Sequence, residues 1–199
     1  MLAAGCRGWL ALTACLGLAA LAASGFPAAA LDWQPGLAAS EPWRAWTAAA
    51  VHFSALHLGA NLAGAVLVGA LGVAARVSPA MVWAWAVAWP LTHEALLLRP
   101  DLLHYGGLSG VLHAGAAVVA IELLLTGAKG RRFVGAAVLA GLLAKVIGEA
   151  PWGPALRHPL GWDIATAPFA HATGAACGVA CALIAAACRR RDVSDVDRP

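Results

Sequence analysis

Ser109 stands in the run "GGLSGVLHAG", Gly106 to Gly115, with His113 four residues further on. A serine hydroxyl is a weak nucleophile until a base takes its proton, and histidine is the usual base. Two imidazoles compete for that part. His113 shares the Ser109 face of a helix at i, i+4. His171 heads the run "HATGAACG", with Gly174 and Gly178 at i+3 and i+7. That glycine stripe favours His171, because small residues let two helix backbones approach closely in a membrane. A carbonyl under attack becomes an oxyanion that needs preorganised donors, which His57, the Asn61 amide and the Ser109 backbone N–H could supply. His57 and Asn61 are four apart and share a helix face. The acids Asp101, Glu94 and Glu122 do not fall on these faces, so a Ser–His dyad is expected rather than a triad. Glycine follows the serine directly, unlike the Gly-x-Ser-x-Gly elbow of soluble hydrolases. Serving as a helix N-cap is the ordinary alternative for Ser109, and it leaves His171 unexplained.

The elements that must position these residues are membrane helices. Of the 199 residues, 61% are hydrophobic and 12% charged, and mean hydropathy is +0.76. A soluble domain carries roughly 25% charged residues. A bilayer core needs about 20 apolar residues per helix, and six segments come near that length: 8–30, 53–75, 79–98, 109–127, 133–150 and 168–188. An all-α membrane protein with a six-helix bundle is the expectation, as a single domain over residues 1–199. The uncharged first segment is too long for a signal-peptide core of 7 to 15 residues, so it reads as a retained helix. The net charge of +3 comes from short basic runs between apolar segments, which report topology rather than nucleic-acid binding. With the N-terminus inside, nine of the 13 basic residues lie on the cytoplasmic side and Arg44, Arg99 and Arg157 lie opposite, Lys145 being within the fifth segment. Both termini are therefore expected in the cytoplasm, the second being a polar tail over 189–199 expected to be disordered.

Depth then gathers the polar residues. The second, fourth and sixth segments all start on the outer side, so at 1.5 Å per residue His57 lies about 6 Å in, Asn61 about 12 Å and His171 about 5 Å. With Ser109 they converge on the outer third of the bilayer, where polar groups are costly and so mark functional sites. The loop 31–52 carries Trp33, Trp43 and Trp46 and reads as lying in the outer interface. His93, His104 and His158 read as solvated residues near outer helix ends. Lys145 and Glu149 read as a snorkelling surface pair, and Glu122 as a structural polar group. The five cysteines have no regular framework and read as small buried hydrophobes.

These residues, in this order, resemble the rhomboid family of intramembrane serine proteases over roughly residues 41–185. "EPWRAWT", Glu41 to Thr47, is like the family's Trp-Arg element. "HFSALHLGAN", His52 to Asn61, is like its His-x4-His-x3-Asn. "GLSG", Gly107 to Gly110, and "HATGAACG", His171 to Gly178, are like its Gly-x-Ser-Gly and His-x2-Gly-x3-Gly. The resemblance implies Ser109 as nucleophile, His171 as base and acid, and His57, Asn61 and the Ser109 amide as the oxyanion site. It places Gly107 in the loop that shapes that site, His52 at its periphery, Gly174 and Gly178 at a helix-packing face, and Glu41 and Arg44 as braces of the first loop. No cofactor or metal is implied, and the partners would be transmembrane protein substrates within membrane lipid. One position departs: many rhomboids have a tyrosine four residues after the serine, stacked on the catalytic histidine, and here it is His113.

The short chain and His113 are most similar to the rhombosortase branch, which is associated in the bacterial inner membrane with removal of C-terminal tails bearing Gly-Gly, an apolar helix and basic residues. Three other expectations stand beside this one. The chain could cut other single-span substrates, could be a catalytically silent rhomboid-like protein that binds helices, or could be a metal or proton transporter using its seven histidines.

Overall fold

The computed structural model describes residues 2–196, those from 190 onward by backbone alone. It is all-helical. Seven α-helices run in the order α1 (Ala4–Ala23), α2 (Arg44–Thr47), α3 (Ala55–Ala74), α4 (Pro79–Glu94), α5 (Ser109–Thr126), α6 (Lys129–Gly148) and α7 (Pro168–Val196). The helix count thus differs from the six expected. The additional one, α2, is a single turn inside the first loop.

Among the described residues, four helices are long and apolar enough to cross a membrane: α1, α3, α5 and the Pro168–Arg189 part of α7. Helix α4 has 16 residues, about 24 Å at 1.5 Å each, and a 3-10 turn, Ala95–Leu98, continues it. Helix α6 has 20 residues but takes Lys129, Arg131 and Arg132 into its first turn and carries Lys145 near its end.

Local chemistry sets several boundaries. Helix α1 ends at Ala23, short of the expected residue 30, because Gly25 follows and Pro27 disfavours a helical conformation at Phe26. The Ser54 hydroxyl caps α3 by accepting the His57 N–H at 3.0 Å. Pro79 and Pro168 open α4 and α7, where a missing N–H costs nothing. Helix α7 does not stop at residue 188 but continues through most of the expected polar tail to Val196. Residues 197–199, the end of that tail, lie outside the described residues.

Helix α5 is the centre of the molecule, with twelve of its 18 residues buried. Helices α4 and α7 pack along it, α6 lies against its outer side, and α1 and α3 close the bundle. Two buried tryptophans join α1, α3, α4 and α5. Trp9 packs against Trp85 with centroids 4.2 Å apart and planes tilted by 32°, and its indole N–H donates to the Val68 carbonyl at 3.0 Å. The Trp85 N–H donates to the Val111 carbonyl at 2.8 Å. An unsatisfied indole would be costly here, so each tryptophan takes a backbone partner. Helix α1 is accordingly an integral part of the core.

The first loop forms a second small core. Trp33, expected at the interface, is fully buried, while Trp43 and Trp46 are half exposed. Trp33 and Tyr105 exchange backbone hydrogen bonds at 2.7 and 2.9 Å, so the loop pairs with the segment before α5. Arg44 holds it from within. The guanidinium meets Glu41 at 2.6 Å, the Asp32 carboxylate at 3.3 Å, and the carbonyls of Asp32 and Ala29 at 2.8 and 3.0 Å.

On the opposite side Glu122 is buried. It accepts from both Nη atoms of Arg189 at 3.2 Å, and Arg189 also donates to the Ser78 hydroxyl at 2.8 Å. The tie links α5, α7 and the start of α4.

Candidate active site

Ser109 is the first residue of α5, and His171 sits in the first turn of α7. Their helices meet through glycine. A Cβ on Gly174 would stand 2.0 Å from the Gly110 carbonyl oxygen, and one on Gly178 would stand 2.4 Å from that of Ala114. Any side chain at either position would force the helices apart. The close approach puts the Ser109 Oγ 2.9 Å from the His171 Nε2, within hydrogen-bond reach.

The other nitrogen of His171 also has a partner. Its Nδ1 lies 2.6 Å from the Glu149 Oε2. This corrects the expectation that no carboxylate would join the pair. Glu149 caps the C-terminus of α6, and the turn after that helix carries it to α7. It does pair with Lys145 through Oε1, as the i, i+4 spacing implies, but it is also a histidine partner. The spacing within one helix could not show a contact to another.

His113 stacks face to face on His171, with centroids 4.3 Å apart and planes 9° from parallel. Its Nδ1 lies 2.7 Å from the Ser109 carbonyl oxygen. A carbonyl only accepts, so the His113 Nδ1 carries the proton. His113 is thus bound to the serine's backbone and stacked on the histidine that holds its hydroxyl.

On the other side of the serine, His57 and Asn61 project from α3 into the same cavity. Both are buried, and the His57 Nδ1 and Asn61 Nδ2 have no hydrogen-bond partner. Unsatisfied polar atoms at such depth carry a desolvation cost, and here they belong to two residues that line the cavity. Gly107 lets the loop pass. Its φ of +142° suits glycine alone, and a Cβ there would stand 3.0 Å from the His57 ring. His52 lies 4.7 Å from His57, ring to ring, and burial lowers its pKa.

Tyr105 was not singled out by sequence. It is buried beside the site and donates from its hydroxyl to the Gly107 carbonyl at 3.2 Å. Burial pushes its pKa up to about 12, which keeps that donor protonated. Being the single tyrosine of the chain was the one available signal. His93 was expected in solvent. It is fully buried instead, with Nδ1 2.6 Å from the Ala45 carbonyl, tying α4 to the first loop. His104 is more than half exposed and meets Asp32 at 2.7 Å, and His158 is exposed.

The cavity measures about 860 Å³. Its polar end holds Ser109, His171, His57 and Asn61. Its apolar end runs between Leu67 and Val68 of α3 and Leu142 of α6. The loop between α6 and α7 covers the polar end, and the Ser54 hydroxyl donates to its Asp163 at 2.8 Å. Among the described residues no cluster of three or more His, Cys, Asp or Glu side chains is arranged to hold a metal ion. The site pairs a hydroxyl with an imidazole, beside the unpartnered Asn61 amide and His57 Nδ1, at the end of an apolar channel.

No protein-family model matches the chain, and no curated protein matches it.

Proposed function

We propose that the chain is a serine hydrolase working within the membrane, an intramembrane endopeptidase of the rhomboid type. The observation that carries this is the 2.9 Å contact of the Ser109 Oγ with the His171 Nε2, in a cavity whose other end is apolar and bordered by two long helices. Helices α4 and α6 would complete six spans with the four apolar ones. The count of basic residues supports both termini in the cytoplasm, and the site then opens toward the outer face.

In this reading a substrate helix reaches the site along the α3–α6 side and unwinds at its end, since an extended backbone is needed to present a carbonyl. Ser109 attacks the carbonyl carbon while its proton passes to His171. The oxyanion is held by the Ser109 N–H, the Asn61 amide N–H and His57 in the tautomer that presents an N–H to it. His171 returns the proton to the departing amine, and water from the outer side hydrolyses the acyl enzyme. The unpartnered Asn61 Nδ2 supports this assignment, because it is a donor kept in place before any oxyanion forms, and the His57 Nδ1 joins it in the tautomer that carries its proton there.

The narrower proposal is a rhombosortase-like task in the bacterial inner membrane: removal of C-terminal tails made of Gly-Gly, an apolar helix and basic residues. Glycine at the cut site eases unwinding of the substrate helix. Co-expression with a secreted protein carrying such a tail tests it. Wild type releases the protein and Ser109→Ala leaves it anchored. Equal processing by both would reject this substrate assignment.

A further inference from the structure

We propose that Glu149 is a positioning residue for the proteolytic base, completing a Ser109–His171–Glu149 relay of hydrogen bonds across three helices. The proposal rests on the serine-protease reading and deepens it. A carboxylate only accepts, so the 2.6 Å contact from Oε2 to Nδ1 fixes the proton of neutral His171 on Nδ1. That leaves the Nε2 lone pair free to accept from the Ser109 hydroxyl at 2.9 Å. During attack the ring becomes an imidazolium, and the carboxylate on its far side stabilises that charge. Glu149 itself takes no proton and touches no reacting atom.

Four features show that the contact is built. Lys145 occupies the other carboxylate oxygen, so the anion reaches the histidine already paired. His113 stacks on His171 and restricts the ring to one plane. Helix C-termini favour cations over anions, so an acid at the C-cap of α6 sits against local preference. The next residue, Ala150, adopts φ +45°, a left-handed conformation usually left to glycine at this point of a helix. The turn is then clamped from a third element. Arg99 donates to the carbonyls of Pro151 and Gly153, both at 2.9 Å, and is itself held by Asp101. The strained turn and its clamp carry the carboxylate to the histidine.

The test uses the full chain in detergent, with a fluorophosphonate probe and a cleavable transmembrane peptide. Glu149→Gln is expected to slow labelling and lower kcat about 100-fold, through loss of the correct tautomer. KM is expected to stay within about twofold and the melting temperature to be unchanged. A role confined to packing would move stability or KM and leave kcat alone. Glu149→Asp keeps the carboxylate one methylene short. It is expected to label about tenfold more slowly than wild type, and it serves if the glutamine variant does not fold. A far-downfield proton resonance from the His171 Nδ1–H is expected in wild type and Ser109→Ala and lost in His171→Asn and Glu149→Gln. Labelling of both Glu149 variants at the wild-type rate would overturn the proposal alone. A wild type that shows the resonance but never labels would overturn the protease reading, and the relay's catalytic role with it.

Discussion

Two imidazoles lie beside Ser109, and their hydrogen bonds divide the work between them. His171 holds the hydroxyl oxygen through Nε2, whereas His113 spends its Nδ1 proton on the Ser109 carbonyl and its face on the His171 ring. On the proposed mechanism, in which His171 is the base, removing it should therefore differ from removing the ring stacked on it. His171→Asn is expected to lower the fluorophosphonate labelling rate at least about 1,000-fold, and His113→Ala only about tenfold. Equal losses would make His113 a second essential group. Which of these histidines meets the Ser109 hydroxyl was legible beforehand, because a stripe of glycines follows only one of them. Glu149 was not legible. It lies 22 residues from His171, and within its own helix the Lys145 spacing accounts for it fully. Its contact arises from the turn after α6, where Ala150 takes a conformation that alanine seldom signals. Trp33 and His93 were misplaced for a related reason. Both types favour interfaces or solvent, and here tertiary pairing with Tyr105 and Ala45 buries them.

Among the elements, the α5–α7 contact determines whether the site exists. Gly174→Ala places a Cβ 2.0 Å from the Gly110 carbonyl oxygen, an overlap that helix separation alone can relieve. Such a shift of about 1 Å is expected to slow labelling by about 100-fold, while the more distant Gly17→Ala, whose Cβ meets only Leu62 at 3.6 Å, is expected to label normally. The first loop offers a test of stability rather than chemistry. Arg44→Ala would leave the buried Asp32 carboxylate without its guanidinium, and breaking a buried pair costs about 3 to 5 kcal/mol. A thermal melt showing a change below about 1 kcal/mol would mean that Gln34, His104 and water together compensate for the arginine. The resemblance of "EPWRAWT" implied that Glu41 and Arg44 brace the first loop, but the one-turn helix α2 was hidden by its length. Four residues carry no helical period to read.

For the whole molecule, composition indicated a membrane protein, and the arrangement explains why the helices differ so much in character. Central α5 is buried nearly all round, whereas α6 buries only Gly135 and Val146. The cavity is lined by both α3 and α6, so the loosest side of the bundle borders the site. At the opposite end Glu122, Arg189 and Ser78 tie three helices together far from Ser109. Glu122→Gln is expected to cost about 1.5 to 3 kcal/mol, the worth of hydrogen bonds to a charged group. Labelling of the folded protein is expected to be unchanged. A loss of labelling without a loss of stability would show that this end of the bundle communicates with the site.

The most direct measurement of the central claim is covalent labelling of the purified protein by a fluorophosphonate, which reacts with serines activated by a base. Wild type is expected to take up one equivalent at Ser109, and folded Ser109→Ala none. Absence of labelling in wild type, or equal labelling of both, would contradict the assignment of Ser109 as an activated nucleophile.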